Sequence, residues 1–249
     1  MKRFFALVAC AIVVSLVMPS SAFAQKKKKE KKEKAPYEWV MPELSGNETF
    51  DEYLLKCDTL YNKIQSYSND SIVFYEVAEI TVIDEKGEKD TKYQVVDAEG
   101  NLRSSNLAFK QNLDIIMAYP EIALDMTSMV AYTVSATAAL PNLGLKALSY
   151  GKYIKAGKKI VELGGKEMKV IYKKSRAQAK QIKALKAGKI DEVKALQAEV
   201  QGGEVEAGAA TLRAIEMSKA DYETQFGKIM QEDAAAGDVT GQDIPEETL

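Results

Sequence analysis

The sequence predicts an α+β fold that is predominantly α: an N-terminal helix and β-hairpin, then a helical bundle with a long basic amphipathic helix and a helical C-terminal arm. Three observations carry this. Phe50, Tyr53, Leu54, Cys57, Leu60, Tyr61, Ile64 and Tyr67 recur at steps of three and four, the period of one helix face. Ile72 to Ile83 is dense in β-branched and aromatic residues, and a second such run follows after a polar turn. From Ser104 almost to the end the pattern is helical, punctuated by Gly and Pro.

Residues 1–24 have the form of an export signal. Lys2 and Arg3 give a positive start, Phe4 to Met18 is an uncharged, mostly apolar run too short for a stable span, and Ala22-Phe23-Ala24 is a small-residue cleavage site before Gln25. Leu7-Val8-Ala9-Cys10 resembles a lipoprotein box. However, the apolar run continues past Cys10, so cleavage there would leave a bare hydrophobic segment. The expected location is outside the cytoplasm of a Gram-negative bacterium: periplasm, outer-membrane surface or medium. Residues 25–39 form a basic tether. Its low-complexity part, Gln25 to Lys34, has nothing apolar to bury and is expected to be disordered.

The first helix opens at Ser45-Gly46-Asn47-Glu48, which fits a capping box, and is expected to stop near Asn69. Asp84 to Asp90 is the polar turn, Lys92 to Asp97 the return strand, and Ala98 to Asn101 a second turn. Two strands alone are marginal, so the hairpin must lie on helices.

Downstream, Asn106 to Tyr119 is a helix ended by Pro120, and Glu121 to Leu140 is a very apolar one ended by Pro141. The second is long enough to permit a bilayer span. Yet Thr127, Ala131, Ser135 and Ala139 fall every four residues, a small-residue face that lets another helix come close. The expectation is a central bundle helix buried all round. The alternative is a membrane-inserting helical hairpin over 121–148. Asn142 to Leu163, interrupted by Gly164-Gly165, then Lys166 to Lys186, Lys189 to Gln201 and Glu204 to Ala236 complete the series. Residues 40–190 are expected to hold the core, 191–236 the helical arm, and 237–249 an acidic, disordered tail.

The chain has no histidine, which excludes Ser-His-Asp and Cys-His catalysis, His-ligated zinc and His-based pH switching. After cleavage Cys57 is the only cysteine, so no intramolecular disulfide can form, and at an apolar helix position it is expected to act as a small buried hydrophobe. No cofactor is expected.

Charge is segregated into blocks. Residues 40–100 hold five Lys against fourteen acids, residues 152–194 hold fourteen Lys or Arg against four acids, and residues 231–249 hold six acids and no base. Within the basic block, Lys166, Lys169, Lys173, Arg176, Lys180, Lys183 and Lys186 recur at three and four, making a cationic ridge about 30 Å long on a helix. Lys152, Lys155 and Lys159 extend the habit upstream, and Met168, Ile171, Ile182 and Leu185 mark the opposite, packed side. Such a ridge is either solvated, compensated by the chain's own acidic segments at 40–100 or 231–249, or a docking face for an anion. Nucleic acid is not expected as a partner: the compartment is wrong and no aromatic platform interleaves the lysines.

Weaker motifs complete the reading. Ser149-Tyr150-Gly151-Lys152 has S-x-x-K spacing without its companion elements. Asp84, Glu85, Glu88 and Asp90 lack the spacing of a calcium loop, so no metal site is expected. Asp58-Thr59-Leu60 and Asp70-Ser71-Ile72 each resemble an Asp-Ser/Thr-apolar acceptor for O-glycosylation of bacterial exported proteins, with Ser71 the more accessible of the two. The function expected from all this is a non-catalytic interaction protein of the envelope, meeting an anionic surface or acidic protein partner through its basic helix, with peripheral membrane contact. The alternatives are membrane insertion through 121–148, or an enzyme without histidine chemistry.

Overall fold

The computed structural model describes residues 38–68, 74–201, 211–237 and 241–244. The export signal with Cys10, the Lys26–Lys34 run and Ser71 lie outside the described residues, as does most of the acidic tail.

Helix α1 spans Glu48–Ser66. Its N-cap is Asn47 and not Ser45: Asn47 Oδ1 accepts the Phe50 amide at 3.1 Å. Asp51 takes the reciprocal part, accepting the Ser45 and Gly46 amides at 2.6 and 2.9 Å, which holds these two residues outside the helix. Phe50, Tyr53, Leu54, Cys57, Leu60 and Ile64 are buried, as the stripe predicts.

Strands β1 (Glu76–Ile83) and β2 (Lys89–Val96) pair antiparallel, Glu76 opposite Val96 and Ile83 opposite Lys89. Asp84 shapes the turn between them, its Oδ1 accepting the Lys86 and Glu88 amides at 2.8 Å each.

Helix α2 runs unbroken over Ser105–Ala139, with Pro120 inside it. The expected division at Pro120 is therefore corrected. Proline removes one backbone hydrogen bond and strains the preceding turn, but packing on both sides holds the helix together. Ile115, Ile116 and Ile122 are buried, and Tyr119 stacks on Tyr172 with ring centroids 4.3 Å apart.

A 3-10 segment at Leu140–Lys146 reverses the chain, turning at Gly144 with φ of +57°. Helix α3 (Ala147–Lys159) passes through a π turn (Ile160–Gly164) into α4 (Gly165–Lys186). Gly164-Gly165 was expected to interrupt the helix; instead both residues keep right-handed helical dihedrals. Across the π turn the buried series Ile154, Gly157, Ile160, Gly164, Met168 and Ile171 keeps steps of three and four without leaving the core.

Helix α5 (Ile190–Val200) folds back on α4, with Gln181 Nε2 donating to Gln197 Oε1 at 2.7 Å and to the Val193 carbonyl at 3.0 Å. Beyond it, residues expected to be helical from Glu204 onward include a strand, β3 (Arg213–Ser218), parallel to β1 with Ala78 opposite Arg213. The sheet order is β2-β1-β3. Helix α6 (Lys219–Ala236) follows, and the C-terminal arm is helical on either side of this strand.

The fold is mainly helical, with two apolar clusters separated by the sheet. Val77 and Val95 join the main core of α1, α2 and α4. Ala78, Ile80 and Val82, pointing the other way, meet Ile215, Met217, Tyr222, Phe226 and Ile229. The hairpin thus lies on helices, with a third strand added.

Candidate functional site

Helix α4 buries Met168, Ile171, Tyr172, Ser175, Ala179 and Ile182, which turns its lysines outward. Of the ridge residues, Lys166, Lys169, Lys173, Lys180 and Lys186 are exposed, while Arg176 and Lys183 are half-buried.

Their partners divide them. Lys166 pairs with Glu162 at 3.1 Å. Arg176 donates to the Tyr172 hydroxyl at 3.2 Å, and Lys186 donates to Asn106 Oδ1. Lys183 donates to the Gln242 carbonyl at 2.8 Å and lies 3.8 Å from Asp243. Lys169, Lys173 and Lys180 have no hydrogen-bond or ion-pair partner among the described residues. Among the described residues, 231–249 meets the ridge at Lys183. Acids of 40–100 do not meet it among the described residues; Glu79 lies 3.9 Å from Lys194 on α5 instead. Lys180, Lys183, Lys186 and Lys189 line a hollow of about 550 Å³ with Gly241 on its edge.

Upstream, Lys152, Lys155, Lys158 and Lys159 of α3 are all exposed. Leu145 in the turn that precedes them and Leu148 in the first turn of α3 are 96% and 93% exposed. Nothing in the local pattern marks these two leucines as surface residues. The one signal is their position between Pro141 and a lysine-rich stretch, where no periodic stripe claims them.

The expectation that 121–140 is buried all round is corrected. Ile122, Met129, Thr133, Ala136 and Ala139 are buried, but Leu124, Val130 and Val134 are exposed. Of the small-residue face, Thr127, Ala131 and Ser135 are exposed and only Ala139 is buried. Helices α1 and α4 cover one side of α2. Helix α3 brings Gly157 against Tyr53 and Cys57 of α1, and α2 keeps an open flank at Leu124, Val130 and Val134. No helix among the described residues is long and apolar enough to cross a membrane.

The remaining motifs are spent locally. The Ser149 hydroxyl donates to the Lys146 carbonyl at 2.8 Å, while Lys152 lies over the Tyr153 ring, so the S-x-x-K pair is not coupled. Asp84 holds its turn, and Asp90 pairs with Lys92 at 2.6 Å. Among the described residues no group of three His, Cys, Asp or Glu is placed to hold a metal. Cys57 is buried, and burial pushes its thiol up to about 12, which keeps it from being a ready nucleophile. No family model, curated protein or solved structure matches this chain.

Proposed function

We propose that this is a non-catalytic, exported protein that docks peripherally on an anionic lipid surface. The observation that carries the reading is the pairing of exposed lysines without a partner among the described residues (Lys169, Lys173 and Lys180) with two nearly bare leucines, Leu145 and Leu148, on one helical stretch. Cations draw a protein to anionic headgroups, and short apolar side chains then enter the interface. Each lysine near such a surface contributes about 1 kcal/mol at moderate salt. The leucines add the apolar burial that a purely solvated lysine face would not need.

The test is co-sedimentation with phosphatidylglycerol vesicles, using phosphatidylcholine vesicles as the neutral control. Replacing Lys169, Lys173, Lys180 and Lys183 by Gln is expected to weaken binding by roughly two to three orders of magnitude. Leu145→Ser with Leu148→Ser is expected to weaken it further and to leave the salt dependence intact. Unchanged binding in both variants would remove the proposal.

An acidic protein partner is the second reading, favoured by one contact. Lys183 already receives an acidic segment of this same chain at Asp243. Capture of an acidic protein in place of vesicles, lost in the four-lysine variant, would select it.

A further inference from the structure

Between the open flank of α2 and the α3–π-turn segment runs a groove of about 640 Å³, within the ordinary size range of small-molecule sites. Val130, Val134, Ala138 and Val161 give it hydrocarbon walls. Thr133 and Thr137 also line it, but their hydroxyls are committed to the helix, donating to the Met129 and Thr133 carbonyls at 2.7 and 2.6 Å. The two remaining lining residues are charged. Glu162 is engaged by Lys166 at 3.1 Å, whereas Lys158 has no partner among the described residues.

The groove therefore offers a ligand a long apolar wall, no free hydroxyl proton, and one cation at its edge. We propose that it binds a single-chain amphiphile with a carboxylate head, a long-chain fatty acid, its chain along Val130, Val134 and Ala138 and its carboxylate at Lys158. A sugar or a polar peptide would meet walls that return few of its hydrogen bonds, and burying unpaired polar groups is costly. A neutral hydrocarbon would leave the Lys158 charge unanswered. Charge complementarity and wall chemistry thus select the same ligand class. This site meets the lysine face of α4 at Lys166, which engages Glu162, but Lys169, Lys173, Lys180 and Lys183 do not line it, so the two proposals stand or fall independently.

The experiment is a titration of the full chain with cis-parinarate, a fatty acid that fluoresces in apolar surroundings, followed by displacement with palmitate and with hexadecanol. Saturable one-to-one binding is expected, with palmitate displacing the probe about tenfold better than hexadecanol, the usual worth of a charge-assisted contact. Lys158→Gln is expected to erase that difference, and Val134→Asp to abolish binding of both. Both side chains are exposed, so circular dichroism should show both variants folded. The variant lacking Lys169, Lys173, Lys180 and Lys183 should bind parinarate as the parent does.

Non-saturable uptake, or binding indifferent to both groove substitutions, overturns the proposal. Uptake of phosphatidylglycerol without parinarate binding does so too. So does self-association that Val134→Asp abolishes in the absence of parinarate binding; that result assigns the flank to a second copy of the chain.

Discussion

Lys183 and Asp243 face each other at 3.8 Å, and the same ammonium donates to the Gln242 carbonyl at 2.8 Å. Ile244 packs beside the main core just beyond them. An acidic segment thus lies over one end of the basic face, at the hollow lined by Lys180, Lys186 and Lys189. An exposed pair of this kind adds little to stability, so its consequence is competition for the lysine. Asp243→Lys is expected to leave the melting temperature unchanged and to raise affinity for anionic vesicles by about fivefold at low ionic strength. The gain should shrink as salt screens the surface. Equal affinity of parent and variant across a salt series would show that the segment does not compete.

Gly157 sets the approach of α3 to α1. A Cβ built there would lie 2.0 Å from the Tyr53 hydroxyl oxygen and 2.8 Å from Cys57 Sγ. Tyr53 cannot yield easily: it is fully buried, and its hydroxyl donates to the Tyr153 carbonyl at 3.1 Å. Gly157→Ala is expected to destabilise by about 1–3 kcal/mol, the usual cost of overpacking. Tyr53→Phe in the same chain removes the nearest clashing atom and should recover part of the loss. Its ring carbon, 2.9 Å from the added methyl, limits the recovery. Thermal unfolding of the single and double variants measures both effects, and a double variant no better than the sum of its parts would refute this account of the contact.

What could be read in the sequence was local. The stripe from Phe50 to Ile64 and the β-branched run up to Ile83 are set by near neighbours; the stripe lies on α1, and the run is strand from Glu76 onward. Strand β3 was hidden because Arg213–Ser218 carries Arg and Glu and owes its state to pairing with β1, far away in the chain. The outward turn of the α4 lysines followed from the apolar side of that helix, but their partners did not. Asn106 and Asp243 reach Lys186 and Lys183 only through tertiary packing. Likewise, apolar composition marks 121–140 as a helix that wants a neighbour, while how many sides are covered depends on where α3 goes.

Pro120 tests how far packing can outweigh a local rule. It is exposed on α2, so its ring contributes little to the core. Pro120→Ala restores one backbone donor and removes the clash with the preceding turn, at the cost of a more flexible unfolded chain. A net stabilisation of about 1–2 kcal/mol is expected. Urea denaturation measures it, and a loss of stability would mean that the proline shapes the helix in a way the fold needs.

Asp97 gives the fold an acid-sensitive joint between β2 and α2. Its side chain is 3% exposed. It accepts the Asn101 amide at 2.8 Å, Asn101 Nδ2 at 3.2 Å, and Arg103 Nε and Nη2 at 2.9 and 2.6 Å. Burial alone would push the carboxyl up; the Asn101 and Arg103 donors outweigh it and hold the group at about 2. An unfolded aspartate titrates near 3.9, so the folded state favours the charged form and the stabilisation is complete above about pH 4. As pH falls through the folded value of about 2 the contribution disappears, a loss of about 2–3 kcal/mol. Asp97→Asn should therefore be less stable than the parent at neutral pH and show a flatter decline in that acid window. Urea midpoints of both chains at acid and neutral pH decide the matter: parallel declines would place the acid sensitivity in other carboxylates.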